Sequence, residues 1–528
     1  MTSILNKNYL FFLFLIFYFL IGAYLSLTNG ITSDEYHEQL NWKVNSSAII
    51  NFIQNGNYDE LINYGDKYHG IGFHYISQPF QKFFYKLVAD FNGVTDFGGY
   101  LISKHFSVFL VYFISSFFFN SLLYKLTDNL NFSRLGTLLY LLYPYLFGHA
   151  LFNPKDIPFL SFWLINTSIS LSIIEDFYYG KEIKKKKIIF LSFLTAYLIS
   201  IRIVGVLIFV QYLISVAVLI NIKKTNITSF IKKNFFNIAI FLILLLSFNY
   251  ILNPIFWHNP LEIINSINWM SKYFNDVCTL TLGTCMKSLN LPSSYYFIWL
   301  FFKLPIIVLL GLLAFPLIEK KVFNNKFVSL YYSTLLISFF IILFIFIIRN
   351  VAIYDELRHV LFLVPFIILI GLANIFILNK KLSTILVILT IIFFIGENFL
   401  LKPYQYTWLN SFAKFTDIEK NFEIDYWGLS NKNLSQKIIE YSNKNSIDKE
   451  TCIYGDIFAK EFLINANFKC FREYSQVDEA KVRPFFAYKN LRNVKRSNPK
   501  DCKLIWNEKY NYSFFSKKIS TGTAWYCN

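Results

Sequence analysis

Charge is scarce in this 528-residue chain: Asp, Glu, Lys and Arg together supply 16% of it, where soluble domains carry roughly 25%. With 55% of residues apolar, 20% aromatic and a mean hydropathy of +0.42, that scarcity excludes an ordinary soluble enzyme and leaves a multi-pass membrane protein. Acidic residues are the rarer sign, 33 against 50 Lys and Arg, for a net charge of +17. The surplus is not a nucleic-acid footprint, because the lysine runs fall between apolar stretches, as the excess of cations on cytoplasmic loops predicts. Several motifs are missing as well. There is no Cys-x-x-Cys pair, no His-Glu-x-x-His, no phosphate-binding glycine loop and no Gly-x-Ser-x-Gly elbow, which removes the chemistries those motifs carry. No internal repeat is visible. No small-x-small cleavage pattern follows the apolar run from Tyr9 to Thr28, so that run reads as a retained span rather than a signal peptide.

What is present is a series of apolar windows of about 20 residues. Eleven spans are expected, at about 9–28, 102–124, 134–151, 157–175, 188–203, 204–222, 234–252, 297–318, 329–348, 359–378 and 382–400. The fifth and sixth are nearly continuous. Lys125 to Arg134, Lys181 to Lys187, Lys223 to Lys233, Lys320-Lys321 and Lys380-Lys381 alternate onto one side, which the positive-inside rule makes the cytoplasm. The amino terminus is then inside. The remaining loops face outward: about 29–101, the turn Asn153 to Pro158, the turn near Arg202, about 253–296, Arg349 to Arg358, and the tail.

The chain divides into a transmembrane unit, 1–400, and a tail, 401–528, where long apolar runs vanish and charge rises. The tail is long enough for a small extracytoplasmic α/β domain, with a helix over Leu434 to Tyr441 and strands at Thr451 to Tyr454 and Thr523 to Cys527. The outer loop 29–101 is too long for a plain connector. It carries two amphipathic stretches, Trp42 to Phe52 and Phe73 to Phe91, separated by Asn55-Gly56-Asn57, which read as helices lying in the membrane interface. All six cysteines lie in outward segments. An even count confined to the oxidising side points to disulfides, and the expected pairs are Cys278–Cys285, Cys452–Cys470 and Cys502–Cys527.

The unusual residues collect at the outward ends of the spans. Asp34 and Glu35 follow span one, Lys104 and His105 open span two, and His149, Asn153, Lys155 and Asp156 flank the third turn. Arg202 ends span five, and Asp355, Glu356, Arg358 and His359 precede span ten. The plain reading of Lys104 and His105 is interfacial anchoring, and that of Arg202 and Arg358 is a structural ion pair. Together, however, a carboxylate pair facing several cations at one membrane face describes a site for an anionic lipid headgroup with a proton acceptor beside it. Sugar transfer from a polyprenyl-phosphate donor needs this combination. Fixed cations stabilise charge growing on the leaving phosphate, and one carboxylate serves as general base for the attacking hydroxyl. A single inverting displacement needs no enzymic nucleophile, unlike the two-carboxylate arrangement of most hydrolases.

These segments resemble a known family. Asp34-Glu35, the stretch His149 to Pro158, Ile201-Arg202-Ile-Val-Gly205, Asp355-Glu356-Leu-Arg358-His359 and Glu423-Ile-Asp425-Tyr426-Trp427-Gly428 are similar to membrane glycosyltransferases of the GT-C class. Within that class they resemble the family of dolichyl-phosphate-mannose protein mannosyltransferases and its bacterial relatives, which include the lipid A aminoarabinose transferase. The resemblance implies a GT-C fold in a bacterial inner membrane, with the active site on the periplasmic side. Asp34 would be the catalytic base with Glu35 its neighbour. Lys155, Arg202, Arg358 and Lys104 would hold the donor phosphate, and His149, Asn153, Asp156, Asp355, Glu356 and His359 would line or support the substrate. No outer loop is long enough for the β-trefoil insertion of eukaryotic members, which favours a bacterial enzyme acting on a lipid-linked glycan, a surface polysaccharide or protein. The expected partners are a polyprenyl-phosphate-linked sugar, a glycan, lipid or protein acceptor, and the bilayer. The sequence requires no cofactor and leaves room for a divalent cation near Asp34, Glu35 and His37. The alternative from another class is a transporter or flippase of lipid-linked sugars, which should bury its charges near mid-membrane, often between related repeats.

Overall fold

The computed structural model describes residues 2–272, 276–480, 483–490, 498–512 and 518–528. Among them, eight helices are long and apolar enough to cross a membrane: Tyr9–Leu27, Asp96–Thr127, Asp156–Tyr178, Ile203–Lys223, Ile227–Leu252, Lys326–Ile348, Arg358–Leu378 and Lys380–Leu401. The apolar pair Ser294–Lys303 and Ile306–Leu313 is bent by 117° at Pro305, whose missing N–H interrupts the helical ladder; counted as one broken span it makes nine. The remaining two of the eleven expected spans are shorter pieces. The 134–151 stretch is split at Pro144 into Leu130–Leu142 and Pro144–Ala150, and the 188–203 stretch is Lys185–Ile201, 17 residues. Arg202 follows in extended conformation (φ −149°), so the near-continuous apolar run breaks at its one cation.

One large core joins the helices, from Leu15 and Phe109 through Trp163 and Phe366 to Trp408 and Trp427. The last two show that the segment after the final span packs with the helices. The sheet has its own core, built on Leu434, Ile453, Phe468 and Phe486. The bundle has two distinct ends. At one, Lys125 pairs with Glu175 (2.8 Å), Lys187 pairs with Asp176 (2.6 Å), and Tyr331 donates to Glu175. At the other, the segments after Leu27, before Asp156, after Ile201 and before Arg358 come together.

The two amphipathic stretches of the outer loop are helices, Glu35–Asn55 and Gly72–Asn92, and Gly56 closes the first at φ 67°, the left-handed conformation that glycine adopts without strain. On the second, Phe83, Leu87 and Phe91 are exposed, the apolar face an interfacial helix presents. The loop then presses on the end of the Lys185–Ile201 helix. A side chain at Gly70 or Gly72 would collide with the backbone of Ser200 and Ile201, so glycine sets that close approach.

A hairpin follows the fifth of the eight long spans: β1 (Cys278–Thr281) and β2 (Thr284–Lys287), joined by the Cys278–Cys285 disulfide. The tail forms a five-stranded mixed sheet from β3 (Cys452–Gly455), β4 (Phe471–Glu473), β5 (Phe485–Asn490), β6 (Lys503–Asn511) and β7 (Lys518–Cys527). Their order is β4-β3-β5-β7-β6. The helix Ser430–Lys444 covers it, and the disulfides Cys452–Cys470 and Cys502–Cys527 are the expected ones.

Candidate active site

The helix that begins at Glu35 has Asp34 as its N-cap and places Asp34 and Glu38 one turn apart, on one face. Both line a cavity of about 440 Å³. Lys155, Arg202, Arg358 and His359 line it too, so four stretches far apart in sequence meet at one point. Apolar residues line it as well, from Ile203 and Leu207 at the start of one span to Ile345 and Phe346 at the end of another.

Arg358 is the hub. Its Nη2 lies 2.5 Å from Asp34 Oδ2, its Nε 3.3 Å from Asp156 Oδ2 and its Nη1 3.3 Å from Asp355 Oδ2. The planar guanidinium suits this, because its fork presents five donors in fixed directions. The Trp427 ring lies 4.3 Å from its Cζ, a cation–π contact, and Trp427 O accepts the N–H of Ser33 beside Asp34. Arg202 pairs with the other Asp156 oxygen, so one buried carboxylate spaces two guanidinium groups. Lys155 pairs with Glu38 at 2.7 Å.

Asp156 is itself held. Asn153 Nδ2 donates to Asp156 Oδ2 (2.8 Å), and Asn153 Oδ1 accepts the N–H groups of Lys155 (3.2 Å) and Asp156 (2.9 Å). These bonds order the turn that starts the Asp156–Tyr178 helix, whose N-terminal dipole favours the carboxylate there. Asn153 Nδ2 also lies 3.1 Å from His149 Nδ1, and His149 Nε2 lies 3.3 Å from Tyr426 Oη. His149 and Asn153 therefore stand behind the cavity and support Asp156.

Asp355 and Glu356 both take positive φ, 56° and 67°, an uncommon conformation for non-glycine residues. Thr279 Oγ1 accepts from Asp355 N, and Tyr295 Oη accepts from Glu356 N, both at 2.9 Å. The β1–β2 hairpin and the Ser294–Lys303 helix thus fix this strained pair, one residue each. Glu356 turns away from the cavity to Lys303, 2.7 Å away and equally buried. Burial pushes the Glu356 carboxyl up, to about 8, against the pull of Lys303. Glu356 holds the bend of the Ser294–Lys303 segment in place and does not line the site.

Two further expected residues face elsewhere. Glu35 is buried, and its Oε1 accepts from Thr32 N and Oγ1, both at 2.8 Å, with His105 Nε2 at 3.0 Å. His105 Nδ1 lies 3.1 Å from Ser26 O. Glu35 therefore anchors the start of its helix to the Asp96–Thr127 span, and Asp34 alone of the adjacent pair reaches the cavity. Lys104 is buried with its Nζ 3.4 Å from His74 Nε2, and the His74 ring stacks on Trp42 at 5.3 Å. It lies behind the cavity wall, so its cation does not reach a phosphate there. Burial, with Lys104 next, pushes His74 well below its ordinary value.

The structure also brings further residues to the site. Glu38 was legible as the i+4 neighbour of Asp34. Arg349, exposed, and Tyr354 also line the cavity, and nothing in their local sequence marks them out. Lys303, buried over the Tyr145 ring at 4.4 Å, sits inside an apolar run.

Two solved structures are similar to this chain over nearly its whole length. Against ArnT from Cupriavidus metallidurans in the apo state, the identity is 9% and the TM-score 0.48, covering 99% of this chain and 98% of that one. Against the same protein bound to undecaprenyl phosphate, the identity is 10% and the TM-score 0.43, with 98% of each chain covered. No family model and no curated protein matches the sequence.

Proposed function

We propose that the chain is an inverting glycosyltransferase that moves a sugar from a polyprenyl-phosphate donor to an acceptor hydroxyl on the periplasmic side of a bacterial inner membrane. The observation that carries this reading is the mixed lining of the cavity. Its apolar residues belong to two membrane spans, as an isoprenoid tail requires, and Lys155, Arg202 and Arg358, each paired with a different carboxylate, line the same cavity beside Asp34. The tail lies against Ile203, Leu207, Ile345 and Phe346, with the phosphate among Lys155, Arg202 and Arg358.

The chemistry follows from the pairing of those groups. Each of the three cations already faces a carboxylate, so a phosphate binds by taking over part of that pairing. As phosphate oxygens engage Arg358, the Asp34 carboxylate is released toward the acceptor. The acceptor oxygen attacks the anomeric carbon, the bond to the lipid phosphate breaks, and the hydroxyl proton passes to Asp34. Arg202 and Arg358, spaced by Asp156, stabilise the charge that grows on the departing phosphate. The tail domain stands over the same end of the bundle, through Lys432 on Thr28 O (2.6 Å) and Tyr36 on Glu461 (3.0 Å), and there it caps the site or receives the acceptor.

The test is transfer by the purified protein in detergent, with a panel of radiolabelled polyprenyl-phosphate sugars and membrane-extract acceptors. Acceptor-dependent consumption of one donor, with inversion at the anomeric carbon, is expected. Donor binding without consumption under any acceptor would contradict the reading and favour a transporter.

A further inference from the structure

One cluster beside the cavity is not used by the chemistry above. His37 follows Asp34 by one helical turn, and across from it a tight turn presents Asp66 and His69, closed by the His69 N–H on Asp66 O at 2.9 Å. His37 and His69 both line the cavity. Tyr64, in the same turn, donates to Asn41 Oδ1 on the His37 helix at 2.6 Å, so the two pieces are fixed against each other.

The distances within the cluster are the informative feature. His37 Nε2 is 3.6 Å from Asp66 Oδ2, and His69 Nδ1 is 3.5 Å from Asp66 Oδ1. Both exceed the 2.7–3.2 Å of a good N–H···O bond. They run to different oxygens of Asp66, and each is close to the separation of about 3.4 Å between ligands arranged tetrahedrally around a zinc ion at 2.0–2.2 Å. One ligand atom from each residue fits within 4.8 Å of the others. Two imidazoles and a carboxylate are a borderline donor set, suited to zinc rather than to magnesium or calcium.

We propose that His37, Asp66 and His69 form a zinc-type divalent-cation site in the cavity wall, with an open coordination position toward the cavity. Three protein ligands with a free fourth position are the pattern of sites that bind a small oxygen ligand at the metal. That this ligand is an oxygen of the donor's phosphate rests on the function proposed above; the metal site itself does not. The charge balance favours it, since Lys155, Arg202 and Arg358 are each matched by a carboxylate, and a divalent cation held by two imidazoles and one carboxylate keeps a net positive charge toward the cavity. The His69 ring meets Trp269 edge-on at 5.9 Å, which fixes its orientation.

The test uses the full-length protein in detergent, stripped with a chelator and titrated with Co²⁺ as a spectroscopic stand-in for zinc. One equivalent should give the visible absorption of a site with nitrogen and oxygen ligands. His37→Ala and His69→Ala should each weaken Co²⁺ binding at least about tenfold, while the unfolding transition of the metal-free protein stays in place for His37→Ala, because His37 is the less buried of the two, 39% exposed against 8%. Absence of saturable Co²⁺ absorption, or the same affinity in both variants, would overturn the site. Inorganic phosphate and undecaprenyl phosphate, added in turn to the Co²⁺ protein, should shift the band; an unchanged band with both would overturn the open position. All of these readouts are independent of sugar transfer, so failure of the proposed function leaves them decisive.

Discussion

Arg358 Nη2 and Asp34 Oδ2 stand 2.5 Å apart across 324 residues of chain. Asp34 follows the first span and Arg358 opens a late one. Their contact brings the proposed base and a proposed phosphate-binding cation to one point, and makes the state of one depend on the partner of the other.

Removing Arg358 should be costly in two ways. Its guanidinium serves Asp34, Asp156 and Asp355 at once, and breaking a buried pair from one side typically costs about 3–5 kcal/mol. Arg358→Ala should lower the thermal unfolding transition in detergent accordingly. Arg358→Lys should recover part of the stability but little of the lipid-phosphate affinity, because an ammonium cannot fork to three carboxylates. Equal phosphate affinity in the Lys variant would argue against the guanidinium as the hub.

The Lys303–Glu356 pair predicts a non-additive double-mutant cycle. Both side chains are 1% exposed, so Lys303→Met or Glu356→Leu alone leaves a buried polar group without its partner. Each single variant should lose about 1–3 kcal/mol, and the double variant should regain most of it. Additive losses in chemical unfolding would mean that the two side chains do not act as a pair.

Asp425 should give stability a specific pH dependence. Its carboxyl accepts from Tyr406 Oη (2.7 Å), Leu429 N (2.9 Å) and Ser430 N (3.0 Å). Burial nonetheless pushes it up, from 3.8 to about 6. The folded state therefore holds this proton more tightly than the unfolded chain. The resulting stabilisation is fully present below about pH 4 and is lost as pH rises through about 6. The difference in stability between the parent and Asp425→Asn should change between pH 4 and 7 and be flat above, measured by unfolding across that range.

The tail disulfides close loops of 18 and 25 residues, and loops of that size are worth about 3 kcal/mol each when cross-linked. Reduction should therefore loosen the five-stranded sheet first. Hydrogen exchange with and without reductant should show protection lost in β3 to β7 before the helices.

The gathering of Asp34, Lys155, Arg202 and Arg358 was legible because a span end can only meet other span ends at the same face, and the lysine loops label the opposite one. The disulfides were legible for the same reason. Side-chain direction was not. Adjacent residues at a helix start point about 100° apart, so Asp34 and Glu35 could not both face the cavity, and the partner that claims Glu35, His105, lies on a different span. Lys104 reads as an interfacial cation by position, yet tertiary packing buries it against His74. Apolar windows also pass over Pro144 and Pro305, where the helices break and bend, and Lys303 disappears in such a window although its pairing with Glu356 shapes the wall behind the site. Asp66 and His69 carry no motif; they become a cluster with His37 only when Gly70 and Gly72 let the loop close against the Lys185–Ile201 helix.

The most direct test of the account is Asp34→Asn, measured twice on the same preparation, for sugar transfer and for binding of undecaprenyl phosphate. The Asn side chain keeps the shape and removes the proton acceptor. Transfer should fall by about 10²–10⁴-fold, the range a positioned general base supplies, while lipid-phosphate binding is retained or tightened, because Arg358 loses a competitor. Undiminished transfer in this variant would remove Asp34 from the chemistry and contradict the central claim.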